Sequence, residues 1–264
     1  MSKISLPYAL SVAGRNASMY RRTWVLSILP NFFEPIFYLW SIGLGVGAYV
    51  GNMRGMSYVE FLVPGLICVS AMNGSSFEAT YNVYVRMTYE KSYSSMLTTP
   101  IEPDDILLGE LLWSLVRACI YGGIFLLVTV VFGLASPWQA LRVLPIIPLA
   151  GLLFAALGLS FTLRTGSIDL FSYYFTMFLT PLFLFSDVFF PLDERLHGVW
   201  LTVAEALPLL HPVRLARFAF RGAAVGGARG AGLGLVAWDA AYTLVLSFGL
   251  LAWARRLLRE RLLA

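Results

Sequence analysis

Residues 84–112 read YVRMTYEKSYSSMLTTPIEPDDILLGELL, the longest polar interruption in the first half of an otherwise apolar chain. The stretch holds Arg86, Glu90, Lys91, Glu102, Asp104, Asp105 and Glu110, with a break at Thr98-Thr99-Pro100. Apolar runs near the ~20 residues needed to cross a bilayer flank it. The stretch therefore reads as a loop outside the lipid, between two membrane spans.

Composition agrees. Over 264 residues the chain is 58% hydrophobic and 13% charged, with a mean hydropathy of +0.74. A soluble domain of that length carries roughly a quarter charged residues. A polytopic all-α membrane protein follows. The net charge of +4 speaks to topology, because the basic residues fall mostly in short loops and at the ends. Nothing matches a nucleic-acid module. Cys68 and Cys119 lie inside apolar runs and read as small buried hydrophobes. Neither His197 nor His211 has metal-ligand spacing. Residues near the start lack the apolar core and small-residue cleavage site of a removable signal.

Outward from the loop, the sequence predicts six spans in one domain over 1–264. Residues 4–22 mix apolar positions with Arg15, Arg21 and Arg22, which suits an amphipathic helix at the headgroup level (1–23) or a disordered lead-in. Spans one to five occupy 24–190. Span one, 24–50, is broken by Pro30 and Pro35 and ends in Gly43-x-x-x-Gly47-x-x-x-Gly51, a spacing that permits close helix approach. Span two covers 61–83, span three 106–134, span four 143–163 and span five 168–190. Residues 191–232 are too polar and broken for a simple span. Span six, 233–254, leads to a basic tail ending at 264.

The basic residues orient these spans. With the N-terminus inside, cytoplasmic segments carry Lys3, Arg15, Arg21, Arg22, Arg86, Lys91, Arg164 and the four arginines of the tail. Five of the seven outer arginines sit in the long 191–232 segment, where the positive-inside rule weakens. Both termini are expected in the cytoplasm.

Ionisable residues inside a bilayer are costly and mark pairs or functions. Glu34, Glu78, Glu110, Arg117 and Asp239 are the intramembrane candidates. Glu34 and Arg117 share a depth of ~15 Å at ~1.5 Å per residue, so they pair or each faces a polar cavity. Glu78 and Glu110, near the inner boundary, read as snorkelling or capping residues. Asp187 and Asp239 lie toward the outer side, within reach of Arg214, Arg217 or Arg221. Span five is rich in aromatics, Phe183 and Phe185 among them, and its Phe171, Tyr173, Tyr174, Phe175 and Phe178 either pack at the lipid or line a path for an amphipathic or sugar-bearing substrate. No metalloprotease or nucleophile-elbow motif is present. A Walker A loop needs Gly-Lys-Ser/Thr, and the two lysines follow Ser2 and Glu90.

NFFEPIFYLWSIGLGVGAYVG (31–51), MSYVEFLVPGL (56–66), SAMNGSSFEATYNVYVRM (70–87), YSSMLTTPIEPDDILLGELLW (93–113) and FSDVFFPLDERL (185–196) together carry a resemblance. The chain resembles the membrane subunits of type-2 ABC exporters (ABC-2 permeases), most of all the permeases of nodulation lipo-oligosaccharide exporters. That resemblance implies a homodimer of six-span subunits in the bacterial inner membrane, bound to two copies of an ABC ATPase. ATP and magnesium would sit on that partner, and this chain would carry no cofactor. The family's coupling helix would fall at 83–97, with Arg86, Tyr89, Glu90 and Lys91 facing the motor. Residues 191–232 would match its outer helical hairpin, dipping partly into the membrane. Two departures stand out. Ser186-Asp187 replaces a common Ser-Gly before Phe-Phe-Pro, and the run Gly222-x-x-x-Gly226-x-x-x-Gly230-x-x-x-Gly234 is particular to this sequence. The expected role is export of an amphipathic substrate such as a lipid-linked oligosaccharide, or of a drug, lipid or polysaccharide. An ion-coupled secondary transporter would instead call for inverted repeats, and an intramembrane enzyme for a convergent catalytic set.

Overall fold

The computed structural model describes residues 5–42, 45, 49, 52–53, 55–192, 197–221 and 233–263. Almost all of them are helical. Helix α1 (Leu6–Ser41) starts with proline in its first turn, where a missing N–H costs nothing. It continues through Pro30 and Pro35, so the interface helix and the first part of span one are one element. Prolines are tolerated in membrane helices because neighbouring groups take up the freed carbonyls. A short hairpin pairs β1 (Asn52–Met53) with β2 (Met56–Ser57). Helix α2 (Tyr58–Phe77) begins at a capping box in which the Ser57 N–H donates to Glu60 and the Glu60 N–H donates to Ser57 Oγ.

α2 does not stop at Phe77. It runs on through two π-helical stretches, Glu78–Asn82 and Val85–Tyr89, and reverses at Lys91, whose φ is 51°. The short helix α3 (Ser92–Met96) follows. The single helix expected over 83–97 is thus divided at Lys91. Helix α4 (Pro103–Val131) comes next and holds the expected span three. The Glu102 N–H donates to Asp105 at 3.1 Å, and Asp104 and Asp105 place negative charge at the helix N-terminus. Helices α5 (Pro137–Val143) and α6 (Ile146–Arg164) come next. Helix α7 (Leu170–Phe185) carries a π-helical middle, Tyr174–Leu179. Helices α8 (Val199–Glu205), α9 (Leu210–Arg221) and α10 (Leu233–Leu263) complete the chain.

Among the described residues, four helical segments are long and apolar enough to cross a bilayer: Tyr58–Tyr89, Pro103–Val131, Pro137–Arg164 and Leu233–Leu262. Expected spans one and five fall on α1 and on the shorter apolar α7. Within 191–232, the described part holds α8 and α9. The buried Val213, Ala216 and Phe220 of α9 belong to the main core, so this arm packs among the spans.

Helices α2, α4 and α6 form the centre, with α1 laid on α4 and α10 on α6. In lipid such contacts depend on close packing by small residues. A Cβ on Gly151 would lie 2.4 Å from that of Ala118, and one on Gly109 would lie 2.7 Å from the Ala9 carbonyl oxygen. The Gly43–Gly51 and Gly222–Gly234 spacings largely lie outside the described residues. Gly151→Val is therefore expected to cost about 1–3 kcal/mol by overpacking. A lowered midpoint in thermal unfolding of the purified protein checks it, with exposed Gly166→Ala as the silent control.

Candidate functional site

The π-helical winding after Phe77 decides where charge goes. Hydrogen bonds from i to i+5 widen the turn, so Glu78, Asn82 and Arg86 bear on one face although eight residues separate the first and last. Asn82 donates to Glu78 at 2.7 Å, and Arg86 meets Glu78 at 2.9 Å. From α4, Glu110 receives Arg86 through both oxygens, at 3.2 and 2.5 Å. Asn16 of α1 donates to Glu110 at 3.0 Å. Further along α4, Arg117 approaches Glu78 at 3.4 Å, donates to Tyr121 at 3.1 Å and lies 4.4 Å from the Tyr20 ring centroid.

The result is a buried chain, Glu110–Arg86–Glu78–Arg117, in which two carboxylates balance two guanidiniums. All four residues are at most 8% exposed. Removing charges from water is repaid only where geometry and further hydrogen bonds are good, and Asn16, Asn82 and Tyr121 supply those bonds. Tyr93 of α3 is buried beside the chain. Burial and then the Glu110 carboxylate push its phenol well above its ordinary 10.0, which keeps it neutral. The chain ties α1, α2 and α4 together directly behind α3.

Two expectations change here. Glu78 and Glu110 neither snorkel nor cap; both are inside the bundle. Arg117 meets Glu78, while the side chain of Glu34 lies outside the described residues. Arg86 turns inward to its carboxylates, whereas Tyr89, Glu90 and Lys91 are exposed. Arg15 of α1 reaches Ser92 at 2.7 Å and Glu90 at 3.4 Å, so the exposed turn is tied back to α1.

The start of α1 and the last turns of α10 gather at this same end of the bundle. The Ser5 N–H donates to Asp105 at 2.7 Å. Arg255 and Arg259 of α10 both pair with Asp104, and Arg261 donates to the Thr162, Leu163 and Thr165 carbonyls at the C-terminus of α6. Cations at a helix C-terminus complement its dipole.

At the opposite end, α9 presents His211, Arg214 and Arg217 at every third position. Arg217 pairs with Asp187 and lies 4.0 Å from the Phe61 ring centroid. Arg214 meets Asp239 at 2.9 Å, so each of the two acids has an arginine of α9 as its partner. Asp187 has a φ of 62°, a conformation natural to the glycine it replaces in the resemblance. Its side chain compensates by accepting from the Leu192 N–H at 2.8 Å and from Arg217. His211, which sequence spacing did not single out, bridges Asp239 at 2.7 Å and the Glu205 carbonyl at 3.0 Å.

The five candidate path aromatics of span five divide. Phe171 and Tyr174 are core residues packed on Phe161, and Tyr173 and Phe178 face outward. Phe175 alone of the five lines a cavity of about 240 Å³ between α1, α2, α4 and α7. Sequence reasoning missed Asn16, Asn82, Tyr93 and His211. The only available signal was polar side chains within apolar helices.

Comparison with known proteins shows what the sequence as a whole is similar to. The family model described as ABC-2 type transporter matches residues 9–220. Nodulation protein J of Rhizobium leguminosarum bv. trifolii is 36% identical over 208 residues, covering 79% of each chain. Nodulation protein J of Rhizobium meliloti (strain 1021) is 34% identical over 208 residues, again 79% of each. The inner membrane transport permease YadH of Escherichia coli (strain K12) is 25% identical over 215 residues, 80% of this chain and 82% of that protein.

Proposed function

The chain belongs to the ABC-2 type transporter family, and from that premise we propose that it is the membrane half of an ATP-driven exporter in the bacterial inner membrane. Its motor is a separate ABC ATPase, present in two copies on a homodimer of this chain. ATP and magnesium belong to that partner. The cargo is amphipathic, of the kind represented by a lipid-linked oligosaccharide. Both termini and α3 face the cytoplasm, which agrees with their gathering at one end and with the basic residues there.

The observation that carries the coupling reading is the position of the buried ion chain directly behind the exposed turn Tyr89–Lys91. An ATPase seated on Tyr89, Glu90 and Lys91 displaces a turn that is tied by Arg15 to α1. Arg86 in turn ties the same segment to α4. Packed interfaces of this kind hold discrete arrangements, so a push at the turn becomes a shift between two packings. Arg86 then transmits motion from behind the docking surface.

Co-expression with candidate ABC ATPases of the same organism, followed by purification through a tag on this chain, tests the proposal. The expected result is a stable complex whose hydrolysis of ATP supports transport in vesicles. Transport by this chain alone under an ion gradient, without ATP, would overturn it.

A further inference from the structure

The cavity between α1, α2, α4 and α7 holds two polar groups that the protein leaves unused. Ser70 and Asn73, one turn apart on α2, line it, and among the described residues neither side chain has a hydrogen-bond partner. They lie about 18–23 Å along the helix from Tyr58, deep in a hydrocarbon core of ~30 Å. An unpaired hydroxyl or carboxamide there is costly unless a ligand or water satisfies it. The threonine hydroxyls of the lining, on Thr176 and Thr180, already donate to the Ser172 and Phe175 carbonyls.

The remaining surface is aromatic and aliphatic, with Tyr38, Phe125, Phe175 and Phe183 around the polar pair. Among the described residues, no carboxylate, ammonium, guanidinium or imidazole lines it. A charged headgroup at this depth would have no counter-ion. A neutral group that both donates and accepts hydrogen bonds suits the Asn73 carboxamide, and flat apolar ring faces suit the body carrying it.

Resting on the export reading, we propose that Ser70 and Asn73 form a subsite for an uncharged, hydroxyl- or amide-bearing part of an amphiphile, with Phe175 and Phe183 holding its apolar face. Asn73 supplies the selection, since its carboxamide both donates and accepts, and Ser70 adds a second contact. Charged amphiphiles of the same chain length are selected against.

The test needs no ATPase. The purified chain in lipid nanodiscs is exposed to a photoactivatable decyl glucoside, with a decyl phosphate probe of the same design as comparison. Labelling is expected to map to α2 near Asn73 and to α7 near Phe175, and to favour the glucoside. Asn73→Leu should weaken glucoside labelling by about tenfold and Ser70→Ala by about threefold, the range for lost neutral hydrogen bonds. Retained thermal stability of Ser70→Ala keeps the comparison valid even if Asn73→Leu misfolds. Equal labelling of wild type and variants, or stronger labelling by the phosphate, would overturn the subsite. Asn73-dependent labelling in a protein that fails the ATP-driven transport assay would leave the subsite standing and count against the export reading alone.

Discussion

Arg86→Met is expected to destabilise the protein by about 3–5 kcal/mol, the cost of leaving a buried charge without its partner. Among the described residues, Glu110 would then keep the amide of Asn16 with the Tyr93 phenol beside it, and Glu78 would keep Asn82 and the longer contact to Arg117. A loss of monodisperse protein on extraction, or a collapse of the thermal midpoint, checks it. The double variant Arg86→Met with Glu110→Leu should recover most of that stability, because replacing a buried pair by apolar groups is often neutral. It should not recover transport. A purely structural role for the pair would restore both together.

The second large effect separates folding from coupling. Alanine at Tyr89, Glu90 and Lys91 together should leave stability within about 0.5 kcal/mol, as exposed substitutions usually do. The Arg15–Glu90 pair is about one-third exposed at each partner, so its loss weighs little. ATP-driven transport should nonetheless fall at least about tenfold, since truncating a few central contacts of an interface removes most of its binding energy. Transport rates measured beside thermal midpoints of the same preparations decide it.

Much of this architecture was legible in the residues. Span three, expected at 106–134, falls on α4, and the acids Asp187 and Asp239 meet two of the arginines within their expected reach, Arg217 and Arg214. What could not be read is equally specific. Pro30 and Pro35 suggest a break, yet helix α1 continues because its neighbours, not its propensity, decide. At 3.6 residues per turn Glu78 and Arg86 fall about 80° apart on the helix face. The two π-helical stretches close that gap, and no local composition signals them. Arg86 therefore read as a docking residue when it is a buried partner. Ser70 and Asn73 offered no spacing to notice; their interest comes from a cavity that only tertiary packing creates.

The central claim is that a separate ATPase seats on the Tyr89–Lys91 turn from the cytoplasmic side. A photo-crosslinking residue at position 89 probes it directly, with one at the exposed Trp138, beyond the far end of α4, as its counterpart. The account predicts an adduct with the ATPase from position 89 and none from position 138. An adduct from position 138, or none from position 89 while the ATPase still co-purifies, would contradict it.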